Sequence, residues 1–186
     1  MNTLDYTKLP IEIPSIDRRY LADLFRELDF KIGAEIGVLS GDYSKILCEA
    51  NPELKLYCID SWGLGDKKQK MRDYHIRMYE KAKKKLAICN AVLVRKLSMD
   101  AVKDIEDGLL DFVYIDASHR DPYITQDIVE WSRKIRPRGI VSGHDYNNKP
   151  LVMKAVNAYI EAHGYDLHLT DIDADKHGIQ SWWFIK

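Results

Sequence analysis

Short apolar runs alternate with helical stretches along most of this chain, and that alternation limits the fold more than any other feature. Apolar residues Ile16, Tyr20, Leu21, Leu24, Phe25 and Leu28 recur at helical spacing behind Pro14, with Ser15 placed to cap the first turn. They predict a helical extension over residues 1–30. Strands are then expected at 33–38, 54–59, 91–96, 111–116, 139–143, 165–170 and 180–185. Helices are expected at 42–50, 66–87, 99–106, 121–135 and 150–162. A strand–helix–strand rhythm means parallel crossovers, which put helices on both faces of one sheet. The strands are apolar and alternate poorly, as strands covered on both faces should. Only the last two differ: the polar turn DIDADKHG (171–178) is short enough to set them antiparallel. No repeat or linker divides the chain, so residues 1–186 read as one α/β domain, a doubly wound three-layer sandwich.

The chain has 186 residues, long enough to bury roughly 70% of its unfolded surface without staples. Its 28 Lys and Arg balance 29 Asp and Glu, which argues against a general nucleic-acid binder. Cys48, Cys58 and Cys89 form no C-x-x-C pair and fit neither a disulfide framework nor a thiolate zinc site, so buried thiols in a reducing compartment are expected. No apolar run approaches the ~20 residues that span a bilayer. The start, MNTLDYTKLPIEIPS, lacks the basic and apolar regions of a signal peptide. These features predict a cytoplasmic protein with no membrane partner.

In sheets of this kind ligands bind where the strands end. The first strand runs into Glu35-Ile36-Gly37-Val38-Leu39-Ser40-Gly41-Asp42, in which Gly37 and Gly41 let the backbone turn sharply and approach a ligand. Leu39 holds the middle position of what would otherwise be a G-x-G-x-x-G fingerprint. The second strand ends in Asp60, which can take both hydroxyls of a ribose or simply brace a loop. Trp62 can stack on a flat ring or pack in the core. Beyond the third strand, Ser98 and Asp100 suit helix capping, while the backbone there and Met99 suit an adenine. The fourth and fifth strands lead into Asp116-Ala117-Ser118-His119 and His144-Asp145-Tyr146-Asn147. Two carboxylates and two imidazoles thus emerge from adjacent strands. Such a group calls for a compensating hard cation on Asp116 and Asp145, or for a hydrogen-bonded polar cluster without metal. His119 is placed to act as a general base.

At these residues the sequence resembles the class I, Rossmann-like S-adenosylmethionine-dependent methyltransferases. AEIGVLSGDYS is similar to their methionine-binding motif and YCIDSW to their ribose-binding motif. The stretch DFVYIDASHRDPYITQDIVEWSRKIRPRGIVSGHDY resembles the branch holding sugar O-methyltransferases and cephalosporin-hydroxylase-like proteins. The resemblance covers residues 33–147. It implies a seven-stranded sheet with the last strand antiparallel, and S-adenosylmethionine as cofactor. Glu35, Gly37 and Gly41 would surround the methionine, Asp60 the ribose, and Trp62, Ser98 and Met99 the adenine, with Asp116 bordering the cofactor as well. Asp116, His144 and Asp145 would hold Mg2+ or Mn2+, and His119 would be the base. Two positions depart from the pattern: Leu39 stands for a glycine, and Arg138 for the first glycine of P-G-G. His144 in place of a carboxylate favours a softer ion such as manganese.

The expected activity is O-methylation of a small molecule, a sugar or nucleotide-linked sugar. Residues 62–87 form a candidate lid: between 66 and 85 lie nine Lys and Arg against three Asp and Glu, enough to steer an anionic acceptor. The same lysines also suit a solvated helix face. Three other classes stay open: an NAD-dependent oxidoreductase on a similar sheet, a noncatalytic cofactor-binding protein, and, from the basic segment, an RNA binder. Homo-oligomerisation is compatible with all of them.

Overall fold

The computed structural model describes residues 10–186. Along them run β1 (Ile11–Ile13), α1 (Arg18–Glu27), β2 (Ile32–Ile36), α2 (Asp42–Ala50), β3 (Lys55–Asp60), α3 (Gln69–Lys85), β4 (Ala91–Arg95), α4 (Ser98–Ala101), a 3-10 turn (Val102–Asp104) and β5 (Leu110–Ile115). They are followed by α5 (Tyr123–Lys134), β6 (Ile135–Gly143), α6 (Pro150–His163), β7 (His168–Thr170) and β8 (Trp182–Ile185). The strands form one sheet in the order β1-β7-β8-β6-β5-β2-β3-β4. Every pairing is parallel except those of β8, which runs antiparallel to both β6 and β7. No helix among the described residues is long and apolar enough to cross a membrane.

Two apolar layers hold the sandwich together. On one face α1, α2 and α3 press Phe25, Leu47 and Met78 onto Leu56, Phe112 and Tyr114. The rings of Phe25 and Phe112 stack with centroids 3.9 Å apart. On the other face α5 and α6 bury Ile128, Trp131, Val152 and Val156 against Val113, Val141 and Phe184. Covered strands need apolar residues on both faces. That explains why β2, β5 and the second half of β6 read as continuous apolar runs.

The sheet has eight strands where seven were expected. The extra one, β1, pairs with β7 in register Ile11↔His168. Three residues between Pro10 and Pro14 are too few to show a period, and an edge position tolerates the flanking prolines. The extension is therefore part strand, and its first nine residues lie outside the described ones. Helix α1 is capped by Asp17, whose side chain accepts from the Arg19 N–H at 2.8 Å, and not by Ser15. Ser15 adopts a left-handed turn (φ +65°) and donates its N–H to Asp171. The helix expected over 99–106 is a single α-turn followed by the 3-10 turn. Strand β6 reaches back to Ile135, which pairs with Leu110.

One buried polar link joins α4 to α5. The Trp131 indole donates to Ser98 Oγ at 2.8 Å, and that hydroxyl donates to Asp127. Asp127 is 3% exposed, and burial raises its pKa to about 6 against the opposing pull of Ser98. A raised carboxylate pKa stabilises the fold fully below the unfolded value of 3.8, and the benefit is lost as pH climbs through about 6. Asp127→Asn escapes that loss. Urea melts should therefore show the variant gaining on wild type between pH 4.5 and pH 7.5, by about 2 kcal/mol. An equal difference at both pH values would contradict the assignment.

Candidate functional site

The chain leaves β2 for β3 on one side and returns through β5 on the other, so the strand order reverses between β2 and β5. Open α/β sheets bind ligands at this reversal. Here the backbones touch. The Asp116 N–H donates to the Ile36 carbonyl at 2.8 Å, and the Gly37 N–H to the Ile59 carbonyl at 2.8 Å. Gly37 has φ +95°, and a Cβ there would stand 2.1 Å from the Asp116 carbonyl oxygen. No side chain fits that space, so the turn is glycine by necessity.

The turn then passes through Leu39, at φ +49°, to Gly41, the left-handed residue that starts α2. Position 39 keeps a glycine's geometry although it carries leucine, as does Arg138 at φ +65°. Leu39 is held by Asp60, whose Oδ2 accepts the Leu39 N–H at 2.9 Å while Oδ1 accepts the Trp62 N–H at 2.7 Å. Each carboxylate oxygen can accept twice, so Asp60 braces the loop and keeps acceptor capacity on both oxygens. Trp62 is fully buried: its indole donates to the Leu39 carbonyl at 2.7 Å, and its ring lies 4.6 Å from that of Tyr79. The structure thus makes Trp62 a strut under the Leu39 turn and not an open stacking face. Glu35 is equally enclosed, 2% exposed and bonded to the Ser44 hydroxyl; burial lifts its pKa to about 8, so it is mostly uncharged at neutral pH. Ser98 turns inward to α5, no side chain caps α4, and Met99 packs partly against the core. A cavity of about 290 Å³ between β3, β4 and the 3-10 turn shares none of these residues; Tyr57, Ile59, Val94 and Ile105 line part of it.

Beyond β5 and β6 the four polar residues converge as the spacing predicted. His119 Nε2 is 3.7 Å from Asp116 and 2.7 Å from Asp145. The closer contact is poorly aligned, because Nε2 is buried without a well-directed hydrogen-bond acceptor. Asp116 and Asp145 together raise the pKa of His119 to about 9, with Asp145 the nearer. His119 is therefore an imidazolium at pH 7. Burial works against ionisation of Asp145, but His119 and Asn148 overcome it and hold the carboxyl at about 2. Asn148 donates to Asp145 Oδ1 at 3.1 Å. His144 lies 3.8 Å from Asp116 and 3.7 Å from Asp145, and burial lowers its pKa, keeping it neutral.

The donor set suits a divalent cation. Asp116, His144 and Asp145 each offer an atom within 4.8 Å of the others, inside the ~5 Å span open to two ligands of one ion. A neutral imidazole beside two carboxylates forms a mixed set that suits manganese better than magnesium, which prefers oxygen ligands. In its present state the group is balanced by the His119 charge. Sequence reasoning missed two residues here: Asn148, just beyond the recognised stretch, and Arg18, which a distant helix brings to the crevice.

Comparison with known proteins gives the family and the fold. Residues 34–146 match the family described as a methyltransferase domain. No curated protein matches the sequence. Among solved structures, a candidate caffeoyl-CoA O-methyltransferase from Staphylococcus aureus is similar, with TM-score 0.67, 16% identity, and coverage of 94% of this chain and 86% of that one. An O-methyltransferase from Bacillus cereus, in complex with S-adenosylhomocysteine (SAH), gives TM-score 0.60 at 13% identity over 92% and 82%. TomG from Streptomyces achromogenes, an O-methyltransferase involved in tomaymycin synthesis, was crystallised with S-adenosylmethionine; it gives 0.63 at 16% over 90% and 78%. At these identities the likeness shows the fold.

The two turn positions should respond very unequally to exchange. Gly37→Ala forces the Asp116 backbone away and should cost about 3 kcal/mol or more in a denaturant melt. Leu39→Gly removes a strained left-handed residue that is 42% exposed, and should change stability by less than about 1 kcal/mol in either direction. Similar losses at both positions would refute the close crossing.

Proposed function

The chain belongs to the methyltransferase-domain family, and from that premise we propose that it transfers a methyl group from S-adenosylmethionine to an oxygen of a small molecule. One observation carries the cofactor assignment: Asp60 stands at the end of β3 with acceptor capacity spare on both oxygens, beside a turn that brings backbone to the crevice floor at Gly37. A ribose offers two adjacent hydroxyl donors and matches such a carboxylate. Two proteins of similar fold were crystallised with S-adenosylmethionine or SAH, which supports the same reading.

The cofactor supplies an already activated methyl group on a sulfonium. What remains for the protein is to position the acceptor and manage its proton. Gly37, Gly41 and Asp60 hold the donor side, while Asp116, His144 and Asp145 face the acceptor side. If a divalent ion takes part, these three residues hold it, and it would acidify a bound hydroxyl. His119 borders the same space. Paired with two carboxylates it carries a proton at neutral pH, with only about 1% of molecules free to accept one at pH 7. It acts as a base only once an incoming acceptor breaks the contact with Asp145. Exposed lysines and arginines of α3 support an anionic acceptor such as a phosphorylated or nucleotide-linked sugar, although residues 62–87, with Trp62, Met78 and Ala82 buried in the core, form a packed layer and not the expected lid.

Calorimetry with S-adenosylmethionine, SAH and NAD tests the assignment. The first two should bind and NAD should not; binding of NAD alone would reverse it. His119→Ala should keep SAH affinity within twofold while turnover, read as SAH released in the presence of a sugar-phosphate panel, falls about 100-fold. Unchanged turnover would remove His119 from proton transfer. Cofactor binding without transfer to any acceptor would leave a binding protein in place of an enzyme.

A further inference from the structure

Arg18, the first residue of α1, reaches the crevice from outside the sheet. Its guanidinium lies over the ring of Tyr43, 5.2 Å from the centroid, and the Tyr43 hydroxyl donates back to the Arg18 carbonyl at 2.9 Å. Tyr43 is buried in the first turn of α2, directly after Gly41. Two independent contacts therefore fix the start of α1 against the start of α2. The charge on Arg18 is felt by Glu35, Asp42, Tyr43, Tyr114 and His144, so it sits between the Gly37–Gly41 turn and the acid–imidazole cluster.

Among the described residues no carboxylate comes within the 4.0 Å of an ion pair, although Asp116 and Asp175 are near enough to stabilise its charge against burial. Taking a guanidinium partly out of water without a partner is costly, and the fork of N–H groups best satisfies that cost with a planar carboxylate. The neighbouring α2 N-terminus adds backbone N–H groups and the positive end of a helix dipole to the same spot.

We propose that Arg18 binds the α-carboxylate of the amino-acid tail of the sulfonium cofactor. The proposal rests on the reading of this crevice as an S-adenosylmethionine site and deepens it. Asp60 marks the nucleoside end, and Arg18 marks the opposite, anionic end beside Tyr43. The turn at Gly37 lies between the two anchors, so the sulfonium lies over it. The first helix is thereby part of the binding site and not only a cover for the core.

The test compares SAH with 5′-methylthioadenosine, which keeps the nucleoside and lacks the amino-acid tail. Arg18→Gln should weaken SAH binding by about tenfold or more and leave methylthioadenosine within twofold, since one charge-assisted pair is lost from one end only. Arg18→Lys should fall between wild type and Arg18→Gln for SAH, which separates charge from folding, and thermal melts of both variants check that the fold is kept. Asp60→Ala should weaken both ligands alike. Unchanged SAH affinity in Arg18→Gln, or an equal loss for methylthioadenosine, overturns the assignment of Arg18. Failure of the wild-type chain to bind either ligand instead overturns the cofactor reading, and the proposal with it.

Discussion

The site depends on one close approach, the crossing of the chain at Gly37 over the backbone of Asp116. A side chain at position 37 would occupy the space of the Asp116 carbonyl oxygen. The hydrogen bond from Asp116 to Ile36 and that from Gly37 to Ile59 tie β5, β2 and β3 together at their ends. Everything with chemical potential then hangs from this knot. Asp60 reaches across to hold the Leu39 turn, Trp62 supports the turn from below, and Asp116 emerges on the other side toward His119, His144 and Asp145.

Charge is managed differently at each depth. Glu35 and Asp127 are enclosed, and burial keeps both protonated at higher pH than an ordinary carboxyl would be. Nearer the opening, Asp145 stays ionised because His119 and Asn148 face it. The His119 proton serves as an internal counter-charge for two carboxylates, a role that any incoming cation or acceptor must take over. On one side of the turn Arg18, which has no carboxylate partner among the described residues, lies beside a helix N-terminus, and on the other side carboxylates meet imidazoles. Opposite electrostatic demands therefore flank one glycine turn.

Much of this was legible in the sequence because strand ends announce themselves. The alternation of elements gave the layers and the antiparallel final strand. The carboxylates and imidazoles after β5 and β6 lie together, as two adjacent parallel strands require. What stayed hidden depends on long-range packing. Strand β1 is too short to show a period. Trp62 could stack or pack, and only the Leu39 carbonyl and Tyr79 decide for packing. Ser98 could cap a helix or border an adenine, and Asp127 with Trp131 draws it inward instead. The departures at Leu39 and Arg138 looked like lost glycines, yet the backbone keeps the left-handed turn at both and carries the strain. Arg18 gave no local signal, since nothing near Asp17 or Arg19 tells that Tyr43 lies beneath it.

The central claim is that the knot between β2 and β5 is the floor of a nucleoside site. A crystal structure of the chain soaked with SAH tests it most directly. The account predicts both ribose hydroxyls within about 3 Å of the Asp60 oxygens, with the thioether sulfur above Gly37. A nucleoside bound elsewhere, with Asp60 facing only its own loop, would contradict it.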